Sequence, residues 1–136
     1  MAAVADLASV ALFNSLDEAQ LQELASWFHV QSAGQGTRLV GEGAPGYTFF
    51  VILDGTALVT ADGDPLGSLG PGDFFGEIAI LGDGRRTATV TSTSPVRMLV
   101  LFGTEFRQLE CTHPKIAEEI TAAMQSRLGQ RVTEPA

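Results

Sequence analysis

Apolar residues recur along this chain with two different periods. From Leu21 through Leu24 and Ala25 to Phe28 they return every three or four positions, and Ile116, Ile120, Met124 and Leu128 form a second stripe at four-residue spacing. Both spacings predict helices with one buried face. Between these stripes the apolar runs shorten. Thr37 to Val40, Tyr47 to Leu53, Thr56 to Ala61, Arg86 to Ser92 and Val96 to Phe102 are rich in β-branched or aromatic residues and are separated by turn residues, which predicts strands.

Breakers sharpen the same division. Fourteen of the fifteen glycines lie between Gly34 and Gly103, so turns belong to the middle and helices to the ends. Asp54-Gly55, Asp62-Gly63 and Gly70-Pro71-Gly72-Asp73 are sharp turn signals. Ser15-Leu16-Asp17-Glu18 reads as a capping box in which the Ser15 hydroxyl and the Glu18 carboxylate satisfy amides at a helix start. The segment Val4 to Phe13 suits a shorter helix packed on that one. Thr104 is placed to cap a short helix running to Glu110, Pro114 suits the first turn of another, and the tail from Arg131 to Ala136 reads as frayed.

Many short strands with no helices between them argue for a mainly β fold with flanking helices, an antiparallel roll or barrel rather than a parallel sheet. The expected organisation is a single domain over 1–136, with an N-terminal helical segment at 1–33, a β-roll at 34–103 and C-terminal helices at 104–129.

Composition narrows the function. A hydrophobic content of 45% suits a packed core, and a net charge of −8 would repel a polyanion, so direct nucleic-acid binding is not expected. Cys111 is the single cysteine, which rules out an intrachain disulfide or a cysteine-built zinc site and fits a reducing compartment. Met1 to Phe13 lacks a basic leader and contains Asp6, and no apolar run reaches the length of a membrane helix. The expectation is a cytoplasmic protein without its own membrane segment.

Enzymatic patterns are missing. There is no Walker lysine motif, H-E-x-x-H, nucleophile elbow or C-x-x-C, and two distant histidines cannot furnish a cupin-type metal centre. Neither catalytic residues nor metal ligands nor a bound cofactor are expected.

What remains is the run Phe74-Phe75-Gly76-Glu77-Ile78-Ala79-Ile80-Leu81, followed by Arg85-Arg86-Thr87-Ala88-Thr89-Val90. It sets charges in mostly apolar sequence, and such charges need a partner. A tight turn over Gly76 to Ala79 would point amides together at an anion. Arg86 adds a fork of donors suited to two oxygens of one phosphate, and Glu77, an acceptor when ionised, suits a sugar hydroxyl. The same two side chains would also suit a purely structural ion pair.

The stretch from Gly70 to Val90 resembles the phosphate-binding cassette of cyclic nucleotide-binding domains. The F-G-E turn, the nine-residue separation of Glu77 and Arg86, and the R-T-A-T-V strand coincide in it. Gly41-Glu42-Gly43, Ile52-Leu53-Asp54-Gly55 and His113-Pro114 extend the match over nearly the whole chain. The resemblance implies a jelly-roll-like fold with a C-terminal lid helix. It implies that Arg86 pairs with a cyclic phosphate, that Glu77 accepts from a ribose 2′-OH, and that amides of Gly76, Ile78 and Ala88 help fix the sugar-phosphate, with Ala79 in the same turn. Arg85 stands where many members carry proline, which loosens the loop without removing a contact.

Thr87 leaves the base open. Its hydroxyl permits cAMP or cGMP, with cAMP favoured, and strand alternation sets it on the face opposite Arg86 and Ala88 unless a bulge turns it. The resemblance makes Ile120 or Met124 apolar covers for the base, and Ile80, Phe106 or Leu109 the contacts that transmit occupancy. Core packing or a partner-helix seam is the plainer reading of the Ile116 to Leu128 stripe. The expected function is a cyclic nucleotide sensor that repositions its C-terminal helix. Its output lies in an effector domain or partner, since no helix-turn-helix follows the lid before Ala136; Met1 reads as a natural start, and the end as a possible cut. The alternative is a β-roll interaction module without physiologically relevant nucleotide binding.

Overall fold

In the computed structural model, residues 2–41, 48–76 and 88–130 are described, the last four of them by backbone alone. The chain opens with helix α1 (Val4–Ala8), a 3-10 turn (Ala11–Phe13) and helix α2 (Glu18–Ala25). Strands follow as β1 (His29–Ala33), β2 (Arg38–Val40), β3 (Thr48–Asp54), β4 (Ala57–Ala61), β5 (Asp64–Leu69), β6 (Phe74–Phe75), β7 (Thr89–Ser92) and β8 (Val96–Phe102). Helices α3 (Gly103–Thr112) and α4 (Pro114–Gln130) close the described chain.

Among the described residues the strands form two four-stranded antiparallel sheets, ordered β1-β8-β3-β6 and β2-β7-β4-β5. This is the double-sheet arrangement of a jelly roll, as the strand pattern anticipates. The connections β3 to β4 and β7 to β8 both cross from one sheet to the other, and their turns meet. The Thr56 amide donates to Ser94 Oγ at 3.0 Å and the Thr93 amide to the Thr56 carbonyl at 2.9 Å. Asp62 and Gly63 both take positive φ, 52° and 81°, so Asp-Gly forms the two-residue hairpin turn between β4 and β5.

Alternation along the central strands feeds two cores. Phe50, Ile52, Met98 and Val100 face inward with Phe75, Val59, Ala88 and Val90, filling the space between the sheets. Their neighbours Phe49, Val51, Leu99 and Leu101 face outward with Phe74, and the N- and C-terminal helices cover them through Leu24, Phe106, Leu109, Ile116, Ile120 and Met124, joined by Phe28 just beyond α2. One sheet thus separates a roll core from a helical core.

Several expected boundaries move. The roll begins at His29, within the stretch expected to be helical, because β1 is an edge strand whose exposed side chains carry no apolar alternation. Strand β5 was not foreseen because Pro65 and Gly67 disguise it; as an edge strand it tolerates the proline. The capping box begins at Asp17, not Ser15: Asp17 Oδ1 accepts the Gln20 amide at 2.8 Å and Gln20 Oε1 accepts the Asp17 amide at 3.0 Å. Leu16 and Leu21, flanking that box, belong to the same apolar cluster, the arrangement of a hydrophobic staple. Helix α3 starts at Gly103, and Glu105 rather than Thr104 satisfies its first free amide, that of Phe102, at 3.0 Å.

Candidate functional site

Gly70 to Asp73 fixes the entrance to the predicted cassette. The Asp73 carboxylate accepts the Gly70 amide at 2.8 Å, and the Asp73 amide donates to the Gly70 carbonyl at 3.0 Å. The Gly72 amide donates to the Ile52 carbonyl at 2.8 Å, and the Ile52 amide to the Asp73 carbonyl at 2.9 Å, so the turn is stitched to β3. Gly72, at φ 90°, supplies the left-handed residue this tight path requires. Sequence reading identified the turn here but missed the Asp73 side chain as its anchor; an aspartate three residues after the first glycine is the local signal.

Strand β6 then pairs with β3 through Phe50↔Phe75 and Val51↔Phe74. Its two side chains point into different cores. Phe75 stacks on Phe50 inside the roll, with ring centroids 4.7 Å apart, while Phe74 meets Phe49 on the helical side at 5.7 Å. Such paired aromatics stabilise beyond their buried area, by about 0.5–1.5 kcal/mol each. Gly76 follows with φ 78°, a conformation that a side chain resists, so the glycine of the F-G-E turn is required by the backbone itself.

The exit is fixed in the other sheet. Ala88 is fully buried in the roll core, and Val90 pairs with Val40 on one side and Val59 on the other. The cassette therefore leaves from one sheet at Gly76 and returns in the second at Ala88, with both ends held by strand pairing and apolar packing. Glu77, Ile78, Ala79, Ile80, Arg86 and Thr87 lie outside the described residues.

The expected lid residues and the expected hinge residues of α3 lie among the described residues. Phe106 and Leu109 on α3 and Ile120 and Met124 on α4 are all within 2% exposure and share the helical core with Phe13, Phe28 and Leu24. They are brought together with one another on the outer face of the first sheet, whereas Ala88 lies on its inner side. A groove beside Pro114, Ala117 and Thr121 is rimmed by the carboxylates of Glu110 and Glu118, which would repel a phosphate. Among the described residues no helix is long and apolar enough to cross a membrane.

Residues 30–112 match the family model described as the cyclic nucleotide-binding domain, a span that contains the whole cassette. The chain is 32% identical over 123 residues to a cyclic nucleotide-gated potassium channel of Rhizobium etli, covering 90% of this chain and 34% of that one. Among solved structures, the N-terminal domain of a transcriptional regulator from Streptomyces coelicolor superposes with a TM-score of 0.75 at 29% identity, covering 88% of this chain and 89% of that one. The cAMP-bound PfPKA-R superposes with a TM-score of 0.73 at 25% identity, over 93% of this chain and 46% of that one. The chain spans about a third of the length of the curated relatives it matches.

Proposed function

The chain belongs to the cyclic nucleotide-binding domain family, a binding domain and not an enzyme, and from this we propose that it senses cAMP in preference to cGMP. The observation that carries the reading is the cassette between two fixed ends. Gly76 in its left-handed conformation and Ala88 buried in the roll bracket the segment whose sequence holds Glu77 and Arg86 nine residues apart. In this reading Arg86 forms charge-assisted hydrogen bonds to the cyclic phosphate, Glu77 accepts from the ribose 2′-OH, and amides of Gly76, Ile78 and Ala88 with the Ala79 turn complete the cradle. In the same reading the Thr87 hydroxyl is available to either the phosphate or the base. The cAMP carried by PfPKA-R supports the choice of adenine.

Binding becomes a signal through the C-terminal helices. A ligand shifts a two-state element only by its differential affinity for the two states, and moving from 1:99 to 99:1 takes about 5.5 kcal/mol. In this reading helix α4 is the element that moves, with Ile120 or Met124 covering the base and Ile80, Phe106 and Leu109 relaying occupancy. The recipient is an effector domain or partner; a channel relative supports a membrane-protein effector. An exposed free thiol at Cys111 suits the reducing cytoplasm.

Calorimetric titration with cAMP and with cGMP tests the reading, repeated on Arg86→Ala. The wild type binds cAMP the tighter, and the variant loses about 2–5 kcal/mol of binding free energy as a charge-assisted phosphate contact disappears. Silence from folded, ligand-free wild type with both nucleotides would leave the roll as an interaction module.

A further inference from the structure

Both histidines of the chain, His29 and His113, face a glutamate across elements, and the two pairs bracket the same helix. At the start of α3, Glu105 divides its carboxylate: Oε1 accepts the Phe102 amide at 3.0 Å, and Oε2 lies 2.9 Å from His29 Nε2 on β1. The His29 ring also sits 5.9 Å from that of Phe102. At the far end, His113 is the residue between α3 and α4, and its Nε2 lies 3.6 Å from Glu23 Oε1 on α2. The other oxygen of Glu23 accepts from Trp27 Nε1 at 2.9 Å, and the Trp27 ring meets the His113 ring edge-on at 6.5 Å.

We propose that these two contacts are clasps that hold α3, and through it α4, against β1 and α2, and so set how much of the protein is free to move its C-terminal helices. Three features support this. Each clasp joins a C-terminal element to one that precedes the cassette, so neither is a by-product of helix formation. Each uses a carboxylate already oriented by a second donor, the Phe102 amide or the Trp27 indole, which lowers the entropy cost of holding the imidazole. The four partners are between 26% and 49% exposed, so the contacts are weak enough to open.

The direction of the effect rests on the sensor reading above. In the described arrangement Ile120 and Met124 are committed to the helical core. Covering a base in the roll requires α4 to leave that packing, so the clasped state is the less competent one, and apparent affinity falls with the competent fraction. Opening the clasps tightens binding.

The test uses the full chain carrying His29→Ala and His113→Ala together, and His113→Ala alone should the pair not fold. Hydrogen exchange by mass spectrometry on nucleotide-free protein reads the clasps directly. Peptides covering α3 and α4 exchange faster in the variant while β3 and β8 keep their protection. Calorimetry with cAMP then shows affinity raised about two- to tenfold, the scale of half-exposed polar contacts. Unchanged exchange in α3 and α4, or equal loss across the strands, overturns the clasps whether or not nucleotide binds. Faster helix exchange without tighter binding, in a protein that does bind cAMP, overturns their link to the ligand. Absence of any cAMP binding by the wild type counts against the sensor reading and leaves the exchange result standing.

Discussion

The inner and outer faces of the sheet β1-β8-β3-β6 are built from alternate residues of the same strands, yet they hold different kinds of structure. The inner face is closed by a second sheet, and each central strand is hydrogen-bonded on both sides. The outer face is covered by helices joined to it through side-chain packing and a few cross-element polar contacts, such as Arg97 on β8 with Asp6 on α1 at 3.1 Å. A strand in the roll cannot shift without breaking a ladder, whereas a helix on the outer face can shift at the cost of packing and a few exposed polar contacts. The architecture thus holds the fixed ends of the cassette in the two sheets and its candidate moving parts in the helices outside them.

Truncating one buried residue on each side separates these behaviours. Phe75→Ala removes a fully buried ring stacked on Phe50 and costs about 3–5 kcal/mol in denaturant unfolding. Ile120→Ala, on the helical side, costs about 2–5 kcal/mol, but its loss of exchange protection concentrates in α4 and the elements that α4 covers. If both variants lose protection uniformly, the two faces form one cooperative unit and the contrast between them fails.

The corner that joins the sheets gives a smaller effect. Gly55 has φ 95°, and a Cβ there would lie 2.3 Å from the Pro95 carbonyl oxygen, a backbone atom that cannot swing away. Gly55→Ala therefore costs about 1–3 kcal/mol, combining left-handed strain with displacement of the meeting turns. Gly63 has φ 81° but open space around it, so Gly63→Ala carries only the conformational part, roughly 1 kcal/mol. Thermal melts of the two variants measure the difference, and equal losses would mean that the contact between the turns carries no stability.

What could be read from sequence divides along the same line as the physics. The roll was legible because strands such as Val96–Phe102 feed a core on both faces and so carry apolar residues at every position but Arg97, and because Asp62-Gly63 and Asp54-Gly55 name their turns chemically. Edge strands were not legible, since β1 needs no apolar alternation and β5 tolerates Pro65. The cassette was recognised from residue types at fixed spacing, and the required Gly76 and buried Ala88 support its frame. Contacts such as Glu105 with His29, separated by 76 positions, leave no periodic signal and were invisible until the fold was assembled.

The smallest effect tests the capping box, which the sequence reading sets at Ser15 and the structure forms at Asp17. Ser15 with Glu18 and Asp17 with Gln20 both satisfy the capping pattern, and a helix of eight residues can use only one. The reciprocal bonds belong to Asp17 and Gln20, with Leu16 and Leu21 set on either side to join the apolar cluster. Shifting the start back to Ser15 would break that pairing and take Leu16 out of its place before the cap. Asp17→Ala accordingly costs about 1 kcal/mol, the usual loss of an N-cap, while Ser15→Ala at an exposed position stays within about 0.5 kcal/mol. Because α2 also carries Glu23, fraying caused by Asp17→Ala should loosen the clasp at His113 and quicken exchange at the α3–α4 junction. A stability loss from Asp17→Ala with that junction unchanged would show the two ends of α2 to be independent.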